Sequence, residues 1–366
     1  MKQKKLILFI PSIEGGGVEK NLFIIGNYLS NKINEIALIT ASKEHKNKFD
    51  SKIKFITPKN PVSNKSSRKF KYIICLFLLI KEIVKRRNIL VFSFQANFYC
   101  SIICKIFNIK IITRSNSSPK GWSNNPIKEI IFKNLFKLPD HNIVNSIKFK
   151  SEINRRFNIN SECIYNPLNK DQIKKKSTKK VNDNFLNKKK ILKIINIGRL
   201  TDQKDHLTLL KAANILKKNI KFRLLIIGRG KNKRKLNDYI NKNNLKKFIK
   251  IINYQKNPFP YLRKCNLFIL TSKYEGLPNV LLEALTLKKF IISSNCPTGP
   301  SEILDNGKNG LLFKVGDYKE LAKKIIFFHS NKKACLKMTL IGNKRLKRFD
   351  YNLNLIKYFK TINKYL

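Results

Sequence analysis

The chain has 366 residues, 42% of them apolar, which suits two or three domains with packed cores. Its formal net charge is +55, from 77 Lys and Arg against 22 Asp and Glu, a balance that invites nucleic acid or another polyanion as partner. The Lys excess, however, runs through the whole chain beside Asn and Ile, residues with AT-rich codons, and no zinc-finger spacing or RNA-recognition string accompanies it. No specific nucleic-acid partner is expected, whereas attraction to an anionic membrane surface is physically reasonable. The seven Cys include no Cys-x-x-Cys pair and read as buried free thiols in a reducing cytoplasm. His45, His141, His206 and His329 show no metal-ligand spacing, so no metal is expected. No apolar run reaches the roughly 18 residues that span a bilayer.

The first apolar run, 6–10, mimics a secretory signal. It is short and leads to Glu14 and three glycines rather than to a cleavage site, so it reads as a first strand. Gly15, Gly16 and Gly17 form a tight loop before a helix at 18–29, which carries Val18, Leu22, Ile25 and Leu29 on one face. That arrangement aims amides at a phosphate or substrate oxygen, or serves as a plain packing turn. It lacks the dinucleotide spacing. Further strands are expected at 36–40 and 54–56. Residues 69–87 form a helix, apolar in its middle and basic at both ends with Lys69, Lys71, Lys81, Lys85, Arg86 and Arg87. It reads either as a core-packed helix or as a helix lying on a membrane surface. Strands at 89–94 and 110–113 are followed by polar loops holding Asn97, Arg114 and Asn116, candidates to face an acceptor. Residues 143–145 close this first domain, with Ser146 capping a helix at 147–157.

The Lys-rich stretch 169–190 reads as a solvated linker. A second alternation of strands and helices then starts at 191–197 and predicts a second doubly wound parallel sheet. The loop 198–205 after its first strand carries Arg199 and Lys204, two cations suited to phosphate, although two cations in so basic a chain prove little by themselves. Gly228, Arg229 and Gly230 follow the strand at 222–227, and residues 257–261 follow the strand at 248–252. The buried strand at 266–270 leads into TSKYEGLPNVLLEAL at 271–285. Gly276 and Pro278 turn that chain into a helix, which leaves Glu275 in the loop at the carboxyl end of a strand and Glu283 one turn into the helix. Ligands of open α/β sheets bind at such a place, and two carboxylates there suit the hydroxyls of a sugar or ribose. No Asp-x-Asp occurs to hold a metal at a diphosphate.

The string with Glu275, Gly276, Leu277, Pro278, Asn279, Val280 and Glu283 resembles the signature of the family-4 retaining glycosyltransferases, of the glycosyl transferases group 1 type. The resemblance implies the GT-B fold: two Rossmann-like doubly wound domains facing a cleft. The first would span 1–168 and bind the acceptor, and the second would span 191–349 and bind the nucleotide-sugar. A C-terminal helix at 350–366 would cross back to the first domain. Gly16 and Gly17 are similar to the family's first loop, and Tyr165, Asn166 and Pro167 to the end of its first domain. Gly198, Arg199 and Lys204 resemble its diphosphate loop. Gly228 and Phe259 resemble residues framing the base, and Gly299 its second glycine-rich loop. By the same resemblance Glu283 binds ribose hydroxyls, and Glu275 orients the donor sugar and acts in catalysis with Arg199 and Lys204.

The expected activity is metal-independent, retaining hexosyl transfer without a cofactor. The donor would be a UDP-linked sugar and the acceptor lipid-linked or a glycan, in bacterial surface polysaccharide, lipopolysaccharide or glycoprotein glycan synthesis. The enzyme would be cytoplasmic and peripheral on the inner face of the cell membrane. Rival readings are a nucleotide-sugar epimerase of the same fold and a catalytically dead polyanion binder.

Overall fold

The computed structural model describes residues 4–14, 16–60, 62–63, 66–116, 126–181, 183–188 and 190–366. Gly15 of the predicted glycine loop lies outside them, as do 182 and 189 of the predicted linker. The chain forms two compact units, Met1–Pro167 with Tyr351–Leu366, and Leu168–Asp350.

The first unit is built on β1 (Lys5–Phe9), β2 (Ile36–Ile39), β3 (Lys54–Ile56), β4 (Ile89–Ser93), β5 (Lys110–Ser115), β6 (His141–Val144) and β7 (Ser161–Cys163). They pair in parallel in the order β3-β2-β1-β4-β5-β6-β7. Its helices are α1 (Gly17–Ser30), α2 (Arg68–Lys85), α3 (Asn97–Ile106), α4 (Pro126–Lys137) and α5 (Ile147–Phe157). The twofold period of the strands divides the apolar residues between two faces. Leu6, Leu8, Leu90 and Phe92 pack on α1, while Ile7, Phe9, Val91 and Ile111 pack on α2 and α3. Both faces are covered, so the strands read as continuous apolar runs.

The second unit adds α6 (Lys170–Ser177), β8 (Leu192–Ile197), α7 (His206–Leu216), β9 (Phe222–Ile227), α8 (Lys233–Lys242), β10 (Ile249–Ile252), α9 (Phe259–Lys264) and β11 (Leu267–Leu270). It continues through α10 (Asn279–Thr286), β12 (Phe290–Ser294), α11 (Gly299–Ile303), β13 (Leu311–Phe313), α12 (Tyr318–Ser330) and α13 (Lys332–Lys344). Its parallel sheet runs β10-β9-β8-β11-β12-β13. The direction of winding therefore reverses between β8 and β11, where the carboxyl ends of neighbouring strands open a crevice. The last helix, α14 (Tyr351–Asn363), returns to the first unit. Its Leu355, Tyr358 and Ile362 enter the same core as Leu22 and Ile25 of α1.

Two expectations are corrected. The stretch 169–190 is not simply a solvated linker. It contains α6, capped by the Asn169 side chain, and it docks on the second unit through buried Ile173 and Leu186 and through Asp183, which pairs with Lys250 at 3.3 Å. The basic ends of α2 are also less free than their sequence suggests. Lys71 is buried, Arg86 pairs with Glu35 at 2.5 Å, and Arg87 donates to the Phe107 carbonyl at 3.0 Å.

Candidate active site

Three loops meet at the carboxyl ends of β8, β11 and β12. The loop after β8 is sewn to the loop after β11 by backbone and side-chain bonds. Thr271 Oγ1 donates to the Lys204 carbonyl at 2.8 Å, Lys273 N to the Gln203 carbonyl at 2.8 Å, and Gln203 Nε2 to the Tyr274 carbonyl at 3.0 Å. The loop after β12 holds the same stretch from the other side. Ser294 Oγ donates to the Ser272 carbonyl at 2.6 Å, and Thr298 Oγ1 donates to the carbonyls of Glu275 and Gly276 at 2.9 and 3.1 Å. Thr298 makes those bonds at φ 75°, a conformation that a β-branched residue adopts only when its surroundings over-determine it.

The crowding explains two glycines. A Cβ on Gly299 would stand 1.9 Å from the Gly276 carbonyl oxygen, and one on Gly228 would stand 1.9 Å from the Gly198 carbonyl oxygen. Gly228 thus lets the loop after β9 lie against the loop after β8, and Leu200 N donates to the Arg229 carbonyl at 2.9 Å.

This scaffold presses Lys204 onto Glu275. The Lys204 Nζ donates to Glu275 Oε1 at 2.5 Å, and Ser272 Oγ donates to the same oxygen at 2.6 Å. The pair is largely removed from water, with side chains 16% and 9% exposed. Cys296 lies beside it. Burial, and then the Glu275 carboxylate, push its thiol up to about 12, which keeps it protonated and poor as a nucleophile. His206 opens α7 just after Lys204 and is pushed down to about 4 by burial and then by the Lys204 charge. It is therefore neutral, and its Nε2 donates to Asn196 Oδ1 at 2.9 Å, because Asn196 already spends its amide on the Ile269 carbonyl.

The other predicted donor residues lie in the same second unit. Gly198 backs onto the Lys204 side chain, and Arg199 is exposed on the same loop. Gly276, Leu277 and Pro278 are buried, and Asn279 and Val280 open α10 half-buried. Pro278 stands at the cap position, one residue before the helix. Glu283 is buried on α10, and Phe259 is buried as the first residue of α9. Sequence reasoning gave no role to Ser272, Gln203 or Thr298. Ser272 nevertheless stands inside the 271–285 string and Gln203 inside the 198–205 loop, and a hydroxyl three residues before Glu275 is the signal that points to Ser272.

The candidates in the first unit form a separate group. Gly16 caps α1 and lies against the carboxylate of Glu19, which accepts from Glu14 N at 3.3 Å; Gly17 follows it, exposed. Asn97 joins β4 to β5, accepting from Ser93 Oγ at 2.9 Å and donating to the Arg114 carbonyl at 3.1 Å. Arg114 corrects its expected acceptor-side role. It is fully buried, and its guanidinium is taken up by Tyr358 Oη at 2.8 Å, by Asn166 Oδ1 at 2.5 Å and by Asn116. Arg114 holds α14 and the 165–167 turn to β5.

Residues 176–345, almost all of the second unit, match the model of the family Glycosyl transferases group 1. A Campylobacter jejuni protein named N-acetylgalactosamine-N,N'-diacetylbacillosaminyl-diphospho-undecaprenol 4-alpha-N-acetylgalactosaminyltransferase is 26% identical over 85% of this chain and 86% of its own. A Methanocaldococcus jannaschii glycosyltransferase is 32% identical over 64% of this chain, which spans only 62% of that relative. The fold is shared with Anabaena HepE, solved with UDP and glucose, at a TM-score of 0.79, 16% identity and coverage of 99% and 100% of the two chains. It is shared equally with a Thermosynechococcus elongatus sucrose-phosphate synthase, at a TM-score of 0.81, 14% identity and coverage of 99% of both chains. The architecture is thus the GT-B fold.

Proposed function

We propose that the chain is a retaining glycosyltransferase. It moves a sugar from a UDP-linked donor to a lipid-linked or glycan acceptor in bacterial surface-glycan synthesis, at the inner face of the cell membrane. The observation that carries this reading is the desolvated Lys204–Glu275 pair at the switch point of the second sheet, with Glu283 buried on the helix that follows. A diphosphate competes with Glu275 for Lys204, and Arg199 on the same loop adds a second cation. Once released, the Glu275 carboxylate is free to accept from donor-sugar hydroxyls, and Glu283 takes the ribose.

The bond from the sugar C1 to the diphosphate oxygen breaks, and the acceptor oxygen bonds C1 on the same face. The acceptor proton leaves on the departing phosphate. Catalysis is then mainly positioning and charge stabilisation by fixed groups. The name of the Campylobacter relative, with its undecaprenyl diphosphate acceptor, supports a lipid-linked acceptor, and the UDP in the HepE structure supports the base. No cofactor or metal enters the scheme.

The test is a thermal-shift comparison of UDP, GDP and UDP-sugars, followed by transfer of labelled sugar to a short-chain lipid diphosphate in detergent. Stabilisation by UDP and a labelled lipid product are expected. Sugar epimerisation without transfer, or no stabilisation by any nucleotide diphosphate, overturns the reading.

A further inference from the structure

We propose that α2, α3 and α4 of the first unit form one membrane-docking plane, and that its partner is a bilayer carrying anionic phospholipid. This rests on the membrane location proposed above and specifies the surface that makes it.

The three helices lie side by side on one face of the first sheet. Their inner sides are spent on the core, with Cys75 and Leu79 of α2 and Cys100 and Cys104 of α3 fully buried against Ile7, Phe9 and Val91. Phe98 of α3 stacks on Phe132 of α4 at 5.7 Å, which ties the third helix to the second. The outer sides are also apolar. Phe77 and Val84 on α2, Tyr99 and Ile106 on α3, and Ile130 and Ile131 on α4 are all between 49% and 73% exposed. On α2 the exposed positions Phe70, Ile73, Phe77 and Val84 fall at spacings of three, four and seven, so they stand in a row along the helix. Single exposed apolar residues are ordinary, whereas rows on three adjacent helices mark an interaction surface.

The charge around the rows selects the partner. Among the described residues of these helices, the exposed charged side chains other than Glu129 are Lys or Arg, including Lys69, Lys81, Lys105 and Lys133. The acids are paired: Glu82 is withdrawn against Lys5 at 3.0 Å, and the more exposed Glu129 is neutralised by Arg156. Apolar rows bordered mainly by cations match an interface of lipid phosphates over acyl chains. A second copy of this chain would bring the same cations against themselves. None of the helices crosses the bilayer on this reading, and no described helix is long and apolar enough to do so.

The experiment is sedimentation of the full chain with vesicles of phosphatidylcholine and phosphatidylglycerol, against phosphatidylcholine alone, without donor or acceptor. The parent should bind the anionic vesicles and be released by salt. Phe77→Glu, Ile106→Glu and Ile130→Glu, one on each helix, should each weaken binding by about tenfold or more. Each site is more than half exposed, and retained stabilisation by UDP checks that the variants fold. The exposed triple K69E/K81E/K133E supplies a second test and should abolish binding to anionic vesicles. If the Ile106 and Ile130 variants bind like the parent, the plane is refuted. It is also refuted if the parent binds no vesicle, or if it proves to be a dimer that these substitutions dissociate. Transfer in detergent reports on the proposed activity separately, so failure of the docking plane and failure of the enzyme reading are told apart.

Discussion

Gly299→Ala tests whether the contact between the loops after β11 and β12 holds the site in register. The added Cβ would meet the Gly276 carbonyl oxygen at 1.9 Å and Pro278 Cδ at 2.6 Å, where ordinary contact begins near 3.4 Å. Both neighbours belong to the backbone or a ring, so no side chain can swing aside. The loop has to retreat by about 1.5 Å, and Glu275 precedes Gly276 directly. Overpacking of this kind costs about 1–3 kcal/mol, or roughly a 2–10 °C fall in Tm for a unit of this size. Displacing a positioned group by about 1 Å costs on the order of a hundredfold in rate. The control is Gly316→Ala. Gly316 has φ +81° and nothing within 4 Å of its Cβ position, so alanine strains the backbone there by about 1–2 kcal/mol while touching nothing in the site. The expected pattern is a lowered Tm in both variants with turnover lost only in Gly299→Ala, read by differential scanning calorimetry and by UDP-sugar transfer kinetics. Parent-like Tm and kcat in Gly299→Ala, or equal loss of turnover in both, refutes the reasoning.

Lys204→Ala, and to a smaller extent Arg199→Ala, should weaken UDP more than uridine, by about tenfold to a hundredfold for a lost charge-assisted bond; calorimetric titration showing equal losses for both ligands would remove these residues from the phosphates. Glu275→Gln frees Lys204 and should leave UDP affinity intact or raised while turnover falls, whereas Glu283→Ala should weaken the whole nucleotide; parent-like binding and turnover in both variants contradicts the site. Because the chain has no Asp-x-Asp, transfer should survive EDTA, and loss restored by Mn²⁺ or Mg²⁺ is the contrary result. The folded pKa of His206, about 4, lies below its ordinary 6.5, so the unfolded chain binds that proton more readily and stability is lost as pH falls from about 6.5 towards 4. The loss approaches about 1.4 kcal/mol per pH unit; denaturant titrations across that window should show it diminished in His206→Gln, and identical slopes would assign the loss elsewhere.

Both sheets were legible because their strands are covered on two faces and read as near-continuous apolar runs, as in β4 and β11. The 271–285 string was legible because turn residues and carboxylates sit at fixed offsets from such a strand. What escaped depended on partners distant in sequence. Arg114 follows a strand and reads as a ligand-facing cation until Tyr358 arrives 244 residues later and takes its Nε. The Lys-rich composition of 169–190 hid two apolar anchors, Ile173 and Leu186, whose burial is decided by the second unit. Thr298 has no unusual residue type or spacing. Its left-handed backbone exists because two carbonyls of another loop hold its hydroxyl.

The abundance of Lys shows the same limit from the other side. In composition Lys204 is one of 77 cations, and spacing alone gives it no weight over Lys231, which also pairs with a carboxylate nearby. Burial separates them. Lys231 and Asp202 are 72% and 61% exposed, and an exposed pair is worth little because water and salt screen it. Lys204 and Glu275 are 16% and 9% exposed, and a charge there either keeps its partner or exchanges it for another anion of equal reach. A diphosphate satisfies that condition for Lys204, and a ring of sugar hydroxyls satisfies it for Glu275. On the proposed function the two demands are met together by one donor lying across both residues.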